Sequence, residues 1–392
     1  MNQASMDGPA AGARNRLQKI LANVPETVIT DQRHEWVELT GREDQKIVLL
    51  GAGPLARKIL STRLRSFVVA VADNNPKTHG TLIDGFIITS VAQAIRDFGL
   101  DTIFVVTIFN GIEPAAKLRD EGCANVIPFT IFFRHFWVDL LPHASLQTPT
   151  PLFDAANEIL QVSDLWADEE SRNEFASQIE FHGSCIYKPL KRTRNPDETY
   201  FEKDIFLERS DERIVDCGAF DGDVISAYLS RNPVFSGEIA AFEPDKYNFV
   251  RLTKYIAELP EDIGRRITAQ PFAVGNANEM RSFSESGTMD SALSDKGEIE
   301  VQVIRLDEAI TNFQPTLIKM DIEGAEIEAL LGARDTISQD KPILTICTYH
   351  RLTDLWRIPM LIHEMCPEYR LYLRRYADDC WDTVCYAIPP QR

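Results

Sequence analysis

The sequence predicts an α/β protein made of two Rossmann-like domains, and three observations carry that prediction. Apolar strand-like runs alternate with helical patterns along most of the 392 residues. Twice such a run leads into a glycine-bearing loop and then a helix: IVLLGAGPLARKIL from Ile47 and RIVDCGAFDGD from Arg213. The length also exceeds what one hydrophobic core supports, so two domains and a connector are expected. The boundaries read as a partly disordered lead-in over 1–40, a first domain over 41–130, a helical connector over 131–205 and a second domain over 206–392.

Charge and cysteine usage narrow the function classes. A formal net charge of −18 argues against nucleic acid as the main partner, since phosphate contacts need a basic surface. The basic run from Lys188 to Arg194 would suit a single phosphate at most. The seven cysteines include no C-x-x-C pair, and Cys217 and Cys347 lie inside apolar runs, which fits a reduced, cytoplasmic location. The N-terminal MNQASMDGPAAGARNRLQKI has no apolar core, so no secretory signal is expected. TIFFRHFWVDLL is broken by Arg134, His135 and Asp139, so no membrane span is expected. A small-molecule or saccharide partner remains, with a homo-oligomer left open.

Residues 1 to about 15 are expected to be disordered. In the first domain Gly51, Gly53 and Ala56 satisfy G-x-G-x-x-A, and FVVAVADNN ends a second strand at Asp73. A dinucleotide site wants an acid there for a ribose hydroxyl. Helix, strand, helix and strand follow at Ser90–Phe98, Thr102–Ile108, Glu113–Glu121 and NVIPF. Gly51, Gly53 and Asp73 are therefore a candidate second nucleotide site. The other reading is a domain kept for packing, since Pro54 removes an amide donor directly behind Gly53. ADNNPKTHGTLIDGFIITS resembles the N-terminal domain of bacterial enzymes that modify nucleotide-sugars. A nicotinamide-dependent oxidoreductase would rest on these three residues alone.

The connector carries Pro142, Pro149 and Pro151 and two helical stretches, Phe153–Leu165 and Glu169–Phe181. KPLKRTRNPDETYF follows, read either as a linker or, through Tyr200 and Phe201, as part of a substrate mouth. In the second domain RIVDCGA, EIAAFEP, ITAQPFAVG, LIKMDIEG and PILTICTYH read as five strands. Helices are expected at Asp223–Ser230, Tyr247–Ala257, Ala325–Ile337 and Ile358–Met365. EMRSFSESG and EIEVQVIRL alternate with period two, and YRLYLRRY and DTVCYAIP close the chain as two late strands. The sum is a seven-stranded, mostly parallel sheet with a terminal antiparallel strand.

Ligands on such a sheet sit beyond the strand carboxyl ends. Strand one delivers Asp216 and the loop through Gly218, Ala219, Phe220 and Gly222, whose glycines let backbone approach a ligand. No G-K-[ST] follows, so a triphosphate is poorly served. Strand two ends at Glu243, which would accept two hydrogen bonds from a ribose diol, and Pro244 fixes the turn after it. Asp, glycine loop and a second strand-end acid are the pattern of S-adenosylmethionine-binding methyltransferases.

IVDCGAFDGD, AFEP, FAVG and above all IKMDIEGAE with LLGA closely resemble the FkbM family of methyltransferases, over residues 200–390. TYHRLTDLW and TVCYAIP extend the likeness. The resemblance implies a class I methyltransferase sheet and S-adenosylmethionine as cofactor. It implies O-methylation of hydroxyls on sugars, polysaccharide precursors or related natural products. It places Asp216, Gly218 and Ala219 at the methionine part, Glu243 at the ribose, and Phe272, Ala273 and Val274 at the adenine. A non-catalytic ligand sensor is the alternative from another class.

Methyl transfer to a hydroxyl needs an aligned acceptor and a proton acceptor. Asp321 and Glu323 after strand four and His350 after strand five are the candidate catalytic residues. Clustered carboxylates are expected to raise one another's pKa, which suits a base near neutral pH; His350 is the alternative base. Glu326 has a second reading as a charge at a helix N-terminus, His350 as a hydrogen-bonding support, and Lys319 as the partner of an acid. No metal site is expected: Asp321 and Glu323 would suit Mg²⁺, but no third ligand is evident. Ser286 and Ser291 are candidate pocket residues or plain polar loop.

Overall fold

A computed structural model of the chain describes residues 9–22, 46–108, 111–141, 146–184, 190, 193–285, 292–293, 297, 299–377 and 380–392. Ser286, Ser291, Cys185, Lys188, Lys191 and Arg192 lie outside the described residues. Two compact units result. The larger takes in residues 1–14, 157–176 and 192–392, the smaller residues 15–156 and 177–191. The lead-in is corrected at its start: a helix, α1 (Pro9–Leu21), begins where disorder to about residue 15 is expected. Its alanines, arginines and leucines are strong helix formers, and Leu17 is fully buried.

In the smaller unit β1 (Ile47–Leu50), α2 (Pro54–Leu60) and β2 (Val68–Asp73) follow the predicted order. β3 (Leu82–Ile83), β4 (Phe86–Ser90), α3 (Val91–Phe98), β5 (Ile103–Val106), α4 (Ile112–Asp120) and β6 (Asn125–Pro128) complete a six-stranded sheet of order β3-β4-β2-β1-β5-β6. β1 and β5 are buried at every residue, the continuous apolar signature of a parallel sheet covered on both faces. The β3–β4 hairpin and the helix α5 (Phe129–Leu140) go beyond the sequence reading. TIFFRHFWVDLL thus belongs to a twelve-residue helix. Among the described residues no helix is long and apolar enough to cross a membrane. α6 (Thr150–Asp154), α7 (Ala156–Ser163) and α8 (Glu169–Ser184) follow, within the segment expected as a connector.

The larger unit carries the sheet that positions the site. Its parallel strands are β7 (Arg213–Cys217), β8 (Glu238–Phe242), β9 (Ile267–Gln270), β14 (Leu317–Met320) and β15 (Ile343–Cys347), joined by β16 (Arg370–Arg375) and β17 (Thr383–Ile388). The order is β16-β17-β15-β14-β7-β8-β9, and only β17 runs antiparallel to its neighbours. The order of strands reverses at β7 and β14, so a crevice opens there at the carboxyl ends. The helices α9 (Asp223–Arg231) and α10 (Lys246–Glu258) follow β7 and β8 as predicted.

Two expected elements divide. ITAQPFAVG splits at Pro271, which has no N–H for a ladder. Its first half is β9, and its second is β10 (Ala273–Val274) in a separate sheet of order β10-β13-β11-β12. That sheet is completed by β11 (Glu279–Ser284), β12 (Ala292–Leu293) and β13 (Ile299–Ile304), the β11–β13 pair being antiparallel. After the short helices α11 (Glu261–Gly264) and α12 (Leu306–Ala309), the helix expected over 325–337 becomes α13 (Glu326–Gly332) and α14 (Arg334–Asp340). The break falls at Ala333 (φ −112°, ψ 10°) beside Gly332. A Cβ at Gly332 would lie 1.9 Å from the Gly275 carbonyl oxygen, so LLGA and FAVG are pressed together. The last helix, α15 (Asp354–Met365), starts four residues before its expected position.

Candidate active site

The site begins with the loop after β7. Asp216 is fully buried, and the strand register sets Lys319 of β14 directly opposite it. Lys319 Nζ lies 3.1 Å from Asp216 Oδ1 and donates to the Gly218 carbonyl at 2.6 Å. Burial opposes a charge on this lysine, but Asp216, Asp321 and Asp223 hold its pKa above the ordinary value. Lys319 therefore pairs with an acid and braces the loop. The amides of Gly218 and Ala219 donate to the Phe242 carbonyl at 2.9 and 3.1 Å. Gly218 has φ 78°, and a Cβ there would stand 1.9 Å from the Asp321 carbonyl oxygen. Only glycine permits this approach of the first loop to the fourth.

A cavity of about 490 Å³ opens over these strand ends. Of the predicted cofactor residues, Gly218, Phe220, Glu243, Pro244, Phe272, Ala273 and Val274 line it. Asp216 and Ala219 lie beneath, fully buried, and Gly222 starts α9 outside the lining. Glu243 accepts the Phe220 amide at 2.9 Å and the Asp245 amide at 2.9 Å. Burial pushes its carboxyl up to about 7, against the pull of those amides and Lys319. Among the described residues acids outnumber bases in the lining: Asp197, Asp223, Glu243, Asp321, Glu323 and Asp382 face a single lysine, already paired.

Four lining residues hold positive φ although none is glycine: Tyr200 (70°), Phe220 (47°), Glu323 (54°) and Asp382 (48°). Each such position costs about 1–3 kcal/mol, and such strain gathers where a fold serves a ligand.

At one end of the cavity the catalytic candidates meet. Asp321 Oδ2 accepts the Tyr200 hydroxyl at 2.7 Å and Oδ1 the Tyr349 hydroxyl at 3.2 Å. His350 Nε2 lies 3.3 Å from Asp321 and 3.4 Å from Glu323, and its Nδ1 lies 2.9 Å from Glu326. The expected mutual raising of carboxylates does not apply to Asp321. Burial pushes its carboxyl up, but His350, Lys319 and Tyr200 outweigh burial and hold it well below the usual range. Glu323 is raised, chiefly by burial. Burial pushes His350 down, yet Glu326, Asp321 and Glu323 hold its pKa well above 6.5. The fully buried Glu326 also accepts the Ile322 amide at 2.9 Å, at the head of its own helix.

The sequence reading missed Tyr349, Trp381, Asp382 and Asp223. Tyr349 stands in the quoted TYH, but nothing in the spacing brings residue 381 to it; their rings lie 5.6 Å apart. Tyr200 and Phe201 line the cavity.

In the smaller unit Asp73 does reach the glycine loop, but its oxygens accept the Ala52 and Asn75 amides, each at 2.7 Å. Pro54 is the first residue of α2, a helix of seven residues.

The reversed strand order, the glycine loop against the fourth strand end and the acid-lined cavity define a class I methyltransferase unit. Residues 216–380 match the methyltransferase FkbM domain. No curated protein matches the chain. Among solved structures, methyltransferase FkbM from Methylobacillus flagellatus KT shares the fold at a TM-score of 0.80, with 22% identity, over 96% of this chain and 100% of that one. The fibrillarin pre-rRNA processing protein of Methanococcus jannaschii matches at 0.30, with 12% identity over 50% of this chain and 76% of its own. A putative rRNA-methylase from Clostridium thermocellum matches at 0.31, with 12% identity over 51% and 98%.

Proposed function

We propose that the protein is an S-adenosylmethionine-dependent O-methyltransferase acting on a hydroxyl of a carbohydrate, polysaccharide precursor or related natural product. The observation that carries this reading is the acid-lined cavity at the strand switch point, with Asp321, Glu323, Tyr200 and Tyr349 gathered at one end.

The residues present fit the cofactor. Glu243 keeps acceptor capacity after its two amides, since a carboxylate offers about four lone-pair sites, and would hold the ribose diol. The loop at Gly218 leaves room where a side chain would collide. Phe272, Ala273 and Val274 give an apolar wall for the adenine, and the surplus of lining acids suits a cationic ligand. When bound, S-adenosylmethionine supplies a methyl group already activated on a sulfonium.

The chain must then align the acceptor and take its proton. Asp321 accepts the Tyr200 and Tyr349 hydroxyls and has His350 3.3 Å from one oxygen, so it orients that end of the cavity. Glu326 is fully buried. Glu323 lines the cavity with a partly exposed side chain, which supports its reading as the group that would receive the acceptor proton. The Tyr349–Trp381 ring pair beside Asp382 offers a sugar an apolar face and acceptors for its hydroxyls.

Incubation with S-adenosylmethionine and cell-envelope glycans tests the reading. It predicts release of S-adenosylhomocysteine and a one-methyl mass gain at a sugar hydroxyl; transfer to amines alone would contradict it.

A further inference from the structure

Beside the cavity, three side chains from two chain segments converge. Asp321 follows β14, Glu326 opens α13 and His350 follows β15, and one ligand atom from each lies within 4.8 Å of the others. The sequence reading lacked this third ligand, since it paired Asp321 only with Glu323.

Clustered acids alone prove nothing, but the polar atoms here are left incomplete. Glu326 is 0% exposed, and its Oε2 has no hydrogen-bond partner. Both ring nitrogens of His350 lie 2.9–3.4 Å from carboxylate oxygens, yet neither meets an oxygen with hydrogen-bond geometry. A hydrogen-bonding N–H points along the line to its acceptor. A nitrogen that ligates a metal has the oxygens beside its axis, because the ion stands between them. Asp354, 2% exposed, leaves a further buried oxygen unpartnered and shares the charge environment of Glu326 and His350. Of the cations nearby, Lys319 is engaged by Asp216 and Arg351 acts on Asp354, which leaves Glu326 uncompensated by either. Buried charges of one sign are tolerated when they coordinate a cation.

We propose that Asp321, Glu326 and His350 hold a divalent transition-metal ion. Two carboxylates and an imidazole favour an ion of the Mn²⁺, Fe²⁺ or Zn²⁺ kind over Mg²⁺, which prefers all-oxygen sites. Three protein donors leave coordination positions open, and Asp321 lines the cavity, so these positions face the acceptor end. An acceptor hydroxyl reaching the ion would lose its proton more readily, with Glu323 beside it to receive that proton. That last role rests on the methyltransfer reading; the binding itself does not.

The test uses the full chain stripped of metal with EDTA. Mn²⁺ is titrated while free Mn²⁺ is followed by electron paramagnetic resonance, and S-adenosylhomocysteine binding is measured by calorimetry on the same samples. The expected result is one Mn²⁺ per chain, with affinity falling about 10–100-fold or more in His350→Gln and in Glu326→Gln. Mn²⁺ should also raise the melting temperature of the wild type and leave that of His350→Gln unchanged, which covers the case of a Glu326 variant that fails to fold. Absence of Mn²⁺ binding by the wild type, or equal affinity in folded His350→Gln, overturns the metal site. Retained S-adenosylhomocysteine binding in that case leaves the methyltransfer reading standing, and the opposite pattern overturns that reading alone.

Discussion

Asp321 owes its character to neighbours rather than to its own motif. Tyr200, Tyr349 and His350 reach its two oxygens from three separate segments. Replacing Asp321 with Asn keeps the shape but removes the charge that these side chains surround. Turnover should fall about 100-fold or more, while the S-adenosylhomocysteine affinity stays within about threefold; unchanged turnover would remove Asp321 from the alignment of the acceptor. Glu243 supplies a pH prediction of definite sign. Its carboxyl is pushed up to about 7 by burial, so below that pH it is protonated and presents fewer acceptor sites to a diol. Cofactor affinity should therefore rise from pH 6 to pH 8, by about tenfold, and level off above, since the ionised fraction grows by about that factor. A flat calorimetric profile over that range would remove Glu243 from the ribose contact. Neither the pKa direction of Asp321 nor the Tyr349–Trp381 pair was legible in the sequence. The charges and rings responsible come from other strands, and no local spacing encodes them.

Elements were more legible than contacts. β7, β14 and β15 are almost wholly buried and read as apolar runs broken only by Arg213, the paired Asp216 and Lys319, and Thr345, so their sequence order and the strand-end acids emerge from the sequence alone. The division of ITAQPFAVG into two sheets was also encoded, in Pro271, but needed a partner strand to become visible. What joins the elements is steric. Gly218→Ala would push a Cβ against the Asp321 carbonyl at a φ of 78°, and Gly332→Ala would do the same at the Gly275 carbonyl. Each should cost about 2 kcal/mol or more in urea unfolding, and Gly218→Ala should also abolish cofactor binding. Asp245 caps α10 by accepting the Tyr247 and Asn248 amides at 2.8 and 3.0 Å. Its replacement by Ala should cost about 1 kcal/mol and loosen Glu243, which holds the Asp245 amide.

At the scale of the whole molecule the two units carry different amounts of functional information. The smaller one has a glycine loop whose strand-end acid is occupied by its own backbone amides. The larger one gathers strained backbone, buried acids and a cavity at a single strand switch point. A chain of net charge −18 with an acid-lined cavity should bind a sulfonium partly through charge. Raising ionic strength should therefore weaken S-adenosylmethionine more than the thioether S-adenosylhomocysteine, which lacks that positive charge; equal salt slopes would speak against an electrostatic role for the lining acids. The most direct measurement is calorimetric titration of the full chain with S-adenosylhomocysteine, with Glu243→Ala alongside. Binding of one molecule per chain, weakened in the variant, is the predicted result; absence of binding to the wild-type protein would contradict the account.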